Sequence, residues 1–389
     1  MTPYYLDYNA TTPVAPEVWA AMEPCLKHDF GNPSSIHEKG RATARALRDA
    51  RRNVAELIGA SDEREIVFTS GGTEANNTAI RAALRASAPN KRIVTTAVEH
   101  SSVLKLCRQL AAEGYEVIEI GVDGHGRLNF EQLHNSLSQD TAVVTVMLAN
   151  NETGALFPVD KVAQLAKERG VLFHVDAVQA VGKCDLNVQN LAADYVSLSA
   201  HKFYGPKGAG ALYVKKTAPY QSLIFGGSQE RGKRAGTENV SGIVGLGAAS
   251  RLAKNNMQET HSSLKTLRDA FETEVISSIP DSIVNAVECE RLPNTSNIKF
   301  EGVDAEALLM CLDQRGVYAS SGSACMSGSL EPSHVLTAMG LNSRQANSSV
   351  RFSFGRPILE SDIREVVKIL RDTVTELREL DMSEHTAHS

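Results

Sequence analysis

The feature that most constrains this chain is a regular alternation, from about residue 39 to about residue 251, of short β-branched runs with helical stretches. The runs fall at 65–69, 92–96, 116–120, 141–148, 171–175 and 195–198. Apolar residues recur at helical spacing between several of them, at 46–58, 101–113 and 159–169, and Gly59, Gly114 and Gly170 sit just past those stretches. Strands that alternate with helices fold as a largely parallel sheet covered by helices, an α/β architecture. Such sheets bind ligands beyond the C-terminal ends of their strands. The residues that follow each run are therefore where chemistry is expected.

After 65–69 comes SGGTEANN and then a helical run. Gly72 and Thr73 at a helix start offer backbone N–H groups and a hydroxyl to a phosphate, although the same residues also make a plain glycine turn with an N-cap. His100 follows 92–96, and Asn151 lies in ANNETG after 141–148. The run 171–175 ends on Asp176, with Gln179 three residues on; an acid flanked by apolar residues needs a partner. The run 195–198 ends in Ser199, Ala200, His201 and Lys202, ahead of the glycine-rich FYGPKGAGALYV. A lysine in that position is a candidate Schiff-base amine, because desolvation lowers its pKa. A phosphate-binding Thr, a ring-facing Asp and such a lysine are the parts a pyridoxal phosphate (PLP) site needs, the Asp keeping the pyridine nitrogen protonated.

Cys325 lies in SSGSACMSGSLEPSHV, among small residues unusual for a packing cysteine, and reads as a nucleophile on a loop. Cys107 and Cys311 sit in helix-like contexts and read as buried hydrophobes. Arg351 begins RFSFGR on a late strand, where a guanidinium can clamp a substrate carboxylate bidentately, although by itself an arginine there also reads as a surface salt bridge. GSQERGK at 227–233 imitates a P-loop, but Arg234 stands where Ser or Thr is required, and no HExxH pair marks a metal.

Composition narrows the class further. The chain has 389 residues, enough for two domains, and its 42% hydrophobic and 22% charged fractions exclude general disorder. With 40 Lys and Arg against 46 Asp and Glu, the net charge of −6 gives no field for gripping nucleic acid, and no direct nucleic-acid binding is expected. The sequence has no membrane-length apolar stretch and no secretory leader pattern, and its six cysteines show no CxxC spacing. A cytoplasmic setting is expected. Beyond about Lys254 the texture changes to a polar helix-like region (255–278), strand candidates at 295–300 and 350–354, a helix at about 304–314 and a terminal helix from about Glu360. That reads as a smaller α+β domain.

Taken together, LDYNATTP, FGNPSSIH, FTSGGTEANN, VEHSSV, ANNETG, HVDAVQAVGK, SAHKFYGPKG, RAGTENV, SSGSACMSGSLEPSHV and VRFSFGR run nearly the length of the chain. They resemble the NifS/IscS-type cysteine desulfurases, class-V-aminotransferase-like PLP enzymes of fold type I, and most closely the NifS branch. The resemblance implies conversion of L-cysteine to L-alanine, with sulfur carried on Cys325 as a persulfide to an acceptor such as an iron–sulfur scaffold. It implies that Lys202 carries the PLP, Asp176 pairs with the pyridine nitrogen, His100 stacks on the ring and carries protons, and Gln179 and Asn151 contact the hydroxyl side. Gly72, Thr73, Ser199 and His201 would hold the phosphate, with Thr237 reaching that of the neighbouring subunit in a homodimer with shared sites. Arg351 would bind the substrate carboxylate, with Asn151 and Asn32 nearby. It also implies a large domain over 15–255 and a small domain of 1–14 with 256–389, the latter carrying the Cys loop at about 320–332. Tyr8 and Met326 stand where the family commonly has Asn and Thr. An aminotransferase or selenocysteine lyase would share Lys202 and Asp176 without requiring Cys325, and a non-catalytic sulfur carrier would not need Lys202.

Overall fold

The computed structural model describes residues 3–321 and 331–387, the side chains of 381–387 left aside. The first part of the chain gives β1 (Tyr4–Tyr5), α1 (Pro16–Lys27), α2 (Glu38–Leu57), β2 (Ile66–Thr69), α3 (Gly72–Ala86), β3 (Arg92–Thr96), α4 (Ser101–Ala112), β4 (Glu116–Ile120) and α5 (Phe130–Ser136). Next come β5 (Thr141–Met147), α6 (Val159–Arg169), β6 (Leu172–Asp176), α7 (Val188–Leu191), β7 (Tyr195–Ser199), β8 (Gly210–Val214), α8 (Val240–Asn255) and α9 (Met257–Ser278). The chain continues through β9 (Ser282–Val284), β10 (Thr295–Phe300), α10 (Ala305–Gln314), β11 (Val317–Tyr318), α11 (His334–Ala338), α12 (Ser343–Ala346), β12 (Ser349–Ser353) and α13 (Glu360–Ala387).

Seven strands form the main sheet in the order β2-β8-β7-β6-β5-β3-β4. Only β8 runs against its neighbours; β4, β3, β5, β6 and β7 pair in parallel. Every residue of β2, β5, β7 and β8 is buried, as expected of strands covered on both faces. One face buries Ile66, Phe68, Val144, Val146 and Phe173 against α2, α6 and α8; the other buries Val67, Ile93, Val143 and Tyr195 against α3 and α4. The ends of β3, β5, β6 and β7 therefore share one edge.

Two differences from the sequence pattern have physical causes. Glu65 is not in β2 but in a short turn, where its carboxylate takes the Ser61 hydroxyl and the Asp62 and Lys216 amides. The helix α8 was not expected, because its glycines are poor helix formers. They permit close packing instead: a Cβ on Gly247 would lie 2.4 Å from Ala50 Cα of α2.

A second cluster surrounds the antiparallel sheet β12-β10-β9 and the helices α9, α10 and α13. Phe271 sits 4.9 Å from Phe352 and 5.3 Å from Phe354 between ring centres. Leu6 and Tyr8 join this cluster, and β1 pairs with β11, so the N-terminal segment belongs to it by packing. Val335 and Leu336 of α11 instead join the core of the main sheet. Among the described residues no helix is long and apolar enough to cross a membrane.

Glu99, beyond β3, is fully buried; its Oε1 accepts from the Thr96 hydroxyl (2.7 Å) and the Met147 amide (2.9 Å), while Oε2 has no hydrogen-bond partner among the described residues. Burial pushes its pKa from 4.5 up to about 8. The unfolded chain loses this proton near 4.5 and the folded chain near 8, so stability falls as pH rises across that window. Thermal unfolding between pH 5 and 9 should show a shallower decline for Glu99→Gln than for the wild type; equal slopes would refute the assignment. Gly154 adopts φ +79°, and a Cβ there would sit 2.9 Å from Thr295 Cβ. Gly154→Ala should lower unfolding stability by about 1–3 kcal/mol, read from denaturant titration.

Candidate active site

The shared sheet edge assembles the site from four strand ends. Asp176 is the last residue of β6; its Oδ1 accepts from the Val178 amide (3.0 Å) and its Oδ2 from Asn76 Nδ2 (2.6 Å). Asn76, on α3, also donates to Ser102 Oγ (2.9 Å). His100 is the N-cap of α4: its Nδ1 accepts from the Ser102 amide at 3.1 Å and lies 2.8 Å from Ser102 Oγ. A hydrogen-bonded chain therefore runs from His100 through Ser102 and Asn76 to Asp176. Because Nδ1 accepts, the neutral ring holds its proton on Nε2.

Lys202 ends a short turn after β7, and its Nζ donates to the carbonyls of Asn9 (2.6 Å) and Ala10 (2.9 Å). Gln179 Nε2 donates to the same Asn9 carbonyl (2.9 Å). Arg351 on β12 is buried; it meets Asp7 Oδ1 at 2.6 Å and the Asn151 carbonyl at 2.9 Å.

Burial holds His100 below the usual histidine pKa, against the pull of Asp176, and Lys202 and His334 lower it further. His201, which contacts Thr11 Oγ1 at 3.2 Å, is pushed down to about 4 by burial and by Lys202, Lys207 and Lys183. His174, two residues before Asp176, bridges Thr145 and Ser197 across three strands, and burial takes it to about 4. Both rings are neutral at physiological pH. Burial also raises Cys107 to about 12 and Cys184 to about 11, which leaves both thiols protonated.

Two adjoining cavities contain most of the residues singled out from sequence. The inner one, about 240 Å³, is lined by Gly72, Thr73, His100, Asn151, Asp176, Gln179, Ser199, His201 and Lys202. The outer one, about 370 Å³, shares His100, Asn151, Gln179 and Lys202 and adds Arg351, Ser333 and His334. Asn32 lines neither; it is exposed, and its carboxamide oxygen accepts from the Ser34 amide. Thr237 is exposed and lines a separate cavity beside Ser70 and Arg234. The P-loop imitation at 227–233 is a turn with left-handed Glu230 and Arg231, and Arg234 pairs with Glu74. Cys325 and Met326 lie outside the described residues. Among the described residues on either side, Ser320 bonds Arg351 through the backbone, and Ser333, the N-cap of α11, donates its hydroxyl to the buried Glu152 (2.5 Å).

Sequence reasoning missed three residues. Asn9 accepts and donates at the centre of the site, Asn76 holds Asp176, and Lys183 lies buried behind Gln179. Asn9 stands beside Tyr8 in LDYNATTP, and Asn76 lies one helical turn beyond Gly72 and Thr73, which are the signals that point to them. Tyr8 is buried, its ring 5.0 Å from Tyr5 and 6.3 Å from Tyr204, so it serves the second core.

The donor set fits PLP. At one end the start of α3, with Thr73, Ser199 and His201 on the same wall, offers hydroxyls and helix N–H groups to a phosphate. Elsewhere on the wall a fixed carboxylate, Asp176, suits a protonated pyridine nitrogen, and the Lys202 amine suits an aldehyde.

Comparison with known proteins agrees. Residues 4–366 match the aminotransferase class-V family. The chain is 50% identical over 380 residues to a cysteine desulfurase from Trichormus azollae, covering 98% of this chain and 95% of that one. It is 47% identical over 378 residues to the cysteine desulfurase NifS of Azotobacter vinelandii, covering 97% and 94%. A solved NifS-like protein superposes with a TM-score of 0.90 at 34% identity, covering 96% of this chain and all of that one. With the strand-end site and these likenesses in hand, the chain belongs to the class-V aminotransferase family and, within it, to the cysteine desulfurases, PLP enzymes of fold type I.

Proposed function

We propose that the two cavities take L-cysteine, release L-alanine and leave the sulfur on Cys325 as a persulfide. The observation that carries this reading is the meeting of Lys202, Asp176 and His100 in the inner cavity with Arg351 on the adjoining outer wall. Bound PLP supplies an electron-poor ring that accepts the electron pair left when the substrate Cα loses its proton. Lys202 is assigned the transfer of that proton through Nζ, which the Asn9 and Ala10 carbonyls hold at the cavity wall. Arg351, oriented by Asp7 and the Asn151 carbonyl, is assigned the substrate carboxylate. His100 is assigned proton transfer near the substrate sulfur. The Cys325 thiolate then attacks that sulfur: an S–S bond forms, the Cβ–S bond breaks, and its electron pair stays with Cβ, which takes a proton to become the alanine methyl.

The remaining assignments follow the same reading. Gly72, Thr73, Ser199 and His201 hold the phosphate, Asp176 pairs with the ring nitrogen, and Gln179 and Asn151 face the ring hydroxyl. Thr237 reaches the neighbouring subunit's phosphate in a homodimer; its exposure, away from its own inner cavity, supports this, as do the exposed Phe30, Ile36 and Phe225. Asn32 is placed near the substrate through the same assembly. The domain division is 15–255 against 1–14 with 256–389, supported by the second hydrophobic cluster. The acceptor is an iron–sulfur scaffold, as the NifS name of one relative suggests, and a reducing cytoplasm suits a reaction that runs through a free thiol.

Purified protein given L-cysteine without reductant should gain one sulfur on Cys325 with matching L-alanine, read by intact mass, peptide mapping and amino-acid analysis. Lys202→Ala should abolish alanine formation. Cys325→Ala should keep the cofactor's visible band but lose the persulfide, and persulfide formation at the wild-type rate in that variant would overturn the nucleophile assignment.

A further inference from the structure

Lys183, shortly beyond β6, is 5% exposed, and its amine reaches three neutral oxygens: the Gln179 carbonyl (3.1 Å), Gln179 Oε1 (3.1 Å) and Asn9 Oδ1 (3.5 Å). A buried amine held only by neutral oxygens is costly, so its presence needs a reason. The reason lies in what those oxygens belong to. Gln179 Nε2 donates to the Asn9 carbonyl, the same oxygen that accepts the Lys202 amine at 2.6 Å. Asn9 Oδ1 also accepts from Asn294 Nδ2, while Asn9 Nδ2 donates to Thr295 Oγ1 and the Asn151 carbonyl.

We propose that Lys183 is a positioning residue: by donating to Gln179 Oε1 it holds that carboxamide with its NH₂ on the Asn9 carbonyl, the oxygen that also accepts the Lys202 amine. An ammonium can only donate, so it takes the Gln179 oxygen and leaves the NH₂ for the Asn9 carbonyl. The Asn9 carboxamide is already oriented by the Asn151 carbonyl and Asn294, so the loss of Lys183 falls on Gln179, whose buried oxygen loses the donor that holds it. The groups that act on the Lys183 amine electrostatically are Lys202, Arg351 and Cys184, and His261 contacts its backbone carbonyl. Burial and the two cations bring that amine down to about 7, Cys184 opposing them.

This inference rests on the reading that Lys202 carries the cofactor, and the experiment separates the two. Borohydride reduction of the wild-type holoenzyme followed by peptide mapping should place the label on Lys202; a label elsewhere overturns that reading. In Lys183→Met holoenzyme the cofactor should be lost several-fold faster, read from the decay of its visible band. For L-cysteine, kcat should fall while KM stays within about twofold, because the uniform binding of substrate is untouched. Lys183→Gln keeps a donor for Gln179 Oε1 and should lie between Met and wild type. Wild-type cofactor retention and kcat in a folded Lys183→Met would overturn the proposal, as would equal losses in both variants. Should the Met variant not fold, Lys183→Gln decides alone: a lowered kcat at unchanged KM supports the role and a wild-type kcat refutes it.

Discussion

The backbone carbonyl of Asn9 is the point on which the rest of the site depends. It accepts both the Lys202 amine and the Gln179 carboxamide, while the Asn9 amide donates to Ser353 Oγ and its side chain engages Thr295, Asn294, Asn151 and Lys183. Thr295 and Ser353 lie on β10 and β12, and Lys202 and Gln179 just beyond β7 and β6. One residue in a turn of the N-terminal segment therefore registers the small antiparallel sheet against the large parallel one. Buried polar networks of this kind are strong only when every member is satisfied, so a loss at Asn9 is felt at Lys202, Gln179 and Thr295 together.

The same segment carries Asp7, which pairs with Arg351 and also bridges to Ser353. Arg351 is one of the largest fully buried side chains, and a guanidinium in that setting needs oxygen partners. Asp7 and the Asn151 carbonyl supply two of them, one from the N-terminal segment and one from the loop after β5. Arg351 and the Lys202 amine are thus held by near neighbours, Asp7 and Asn9. Their separation is set by the tight turn at residues 8–10, in which the Ala10 amide donates to the Asp7 carbonyl (3.0 Å).

Much of this was legible in sequence because strand periodicity is local. The runs 92–96 and 116–120 coincide with β3 and β4, and His100, Asp176 and Lys202 fall at strand ends, as the rule for open parallel sheets requires. What could not be read was set by partners far along the chain. Asn76 matters because Asp176 lies 100 residues away, and Asn9 because Thr295 lies 286 residues away. A single asparagine carries no mark of such a partner. The helix α8 was missed for the opposite reason: its glycines read locally as breakers, and only distant contacts explain them, Gly245 against Met22 of α1 and Gly247 against Ala50 of α2.

Charge ties these observations together. The whole chain is acidic at −6, yet the residues around Asn9 include three buried or part-buried cations, Lys183, Lys202 and Arg351, against the carboxylates Asp7 and Asp176. Both carboxylates already have fixed partners. Three basic side chains thus gather around one residue of a negatively charged protein, and such a cluster attracts anionic groups such as a phosphate or a carboxylate. Burial, and after it the neighbouring Lys202 and Arg351, hold the Lys183 amine below the usual lysine range. The cluster is therefore kept together by carbonyl and carboxamide oxygens, Asn9 and Gln179 above all, and a change at either oxygen is felt by both amines.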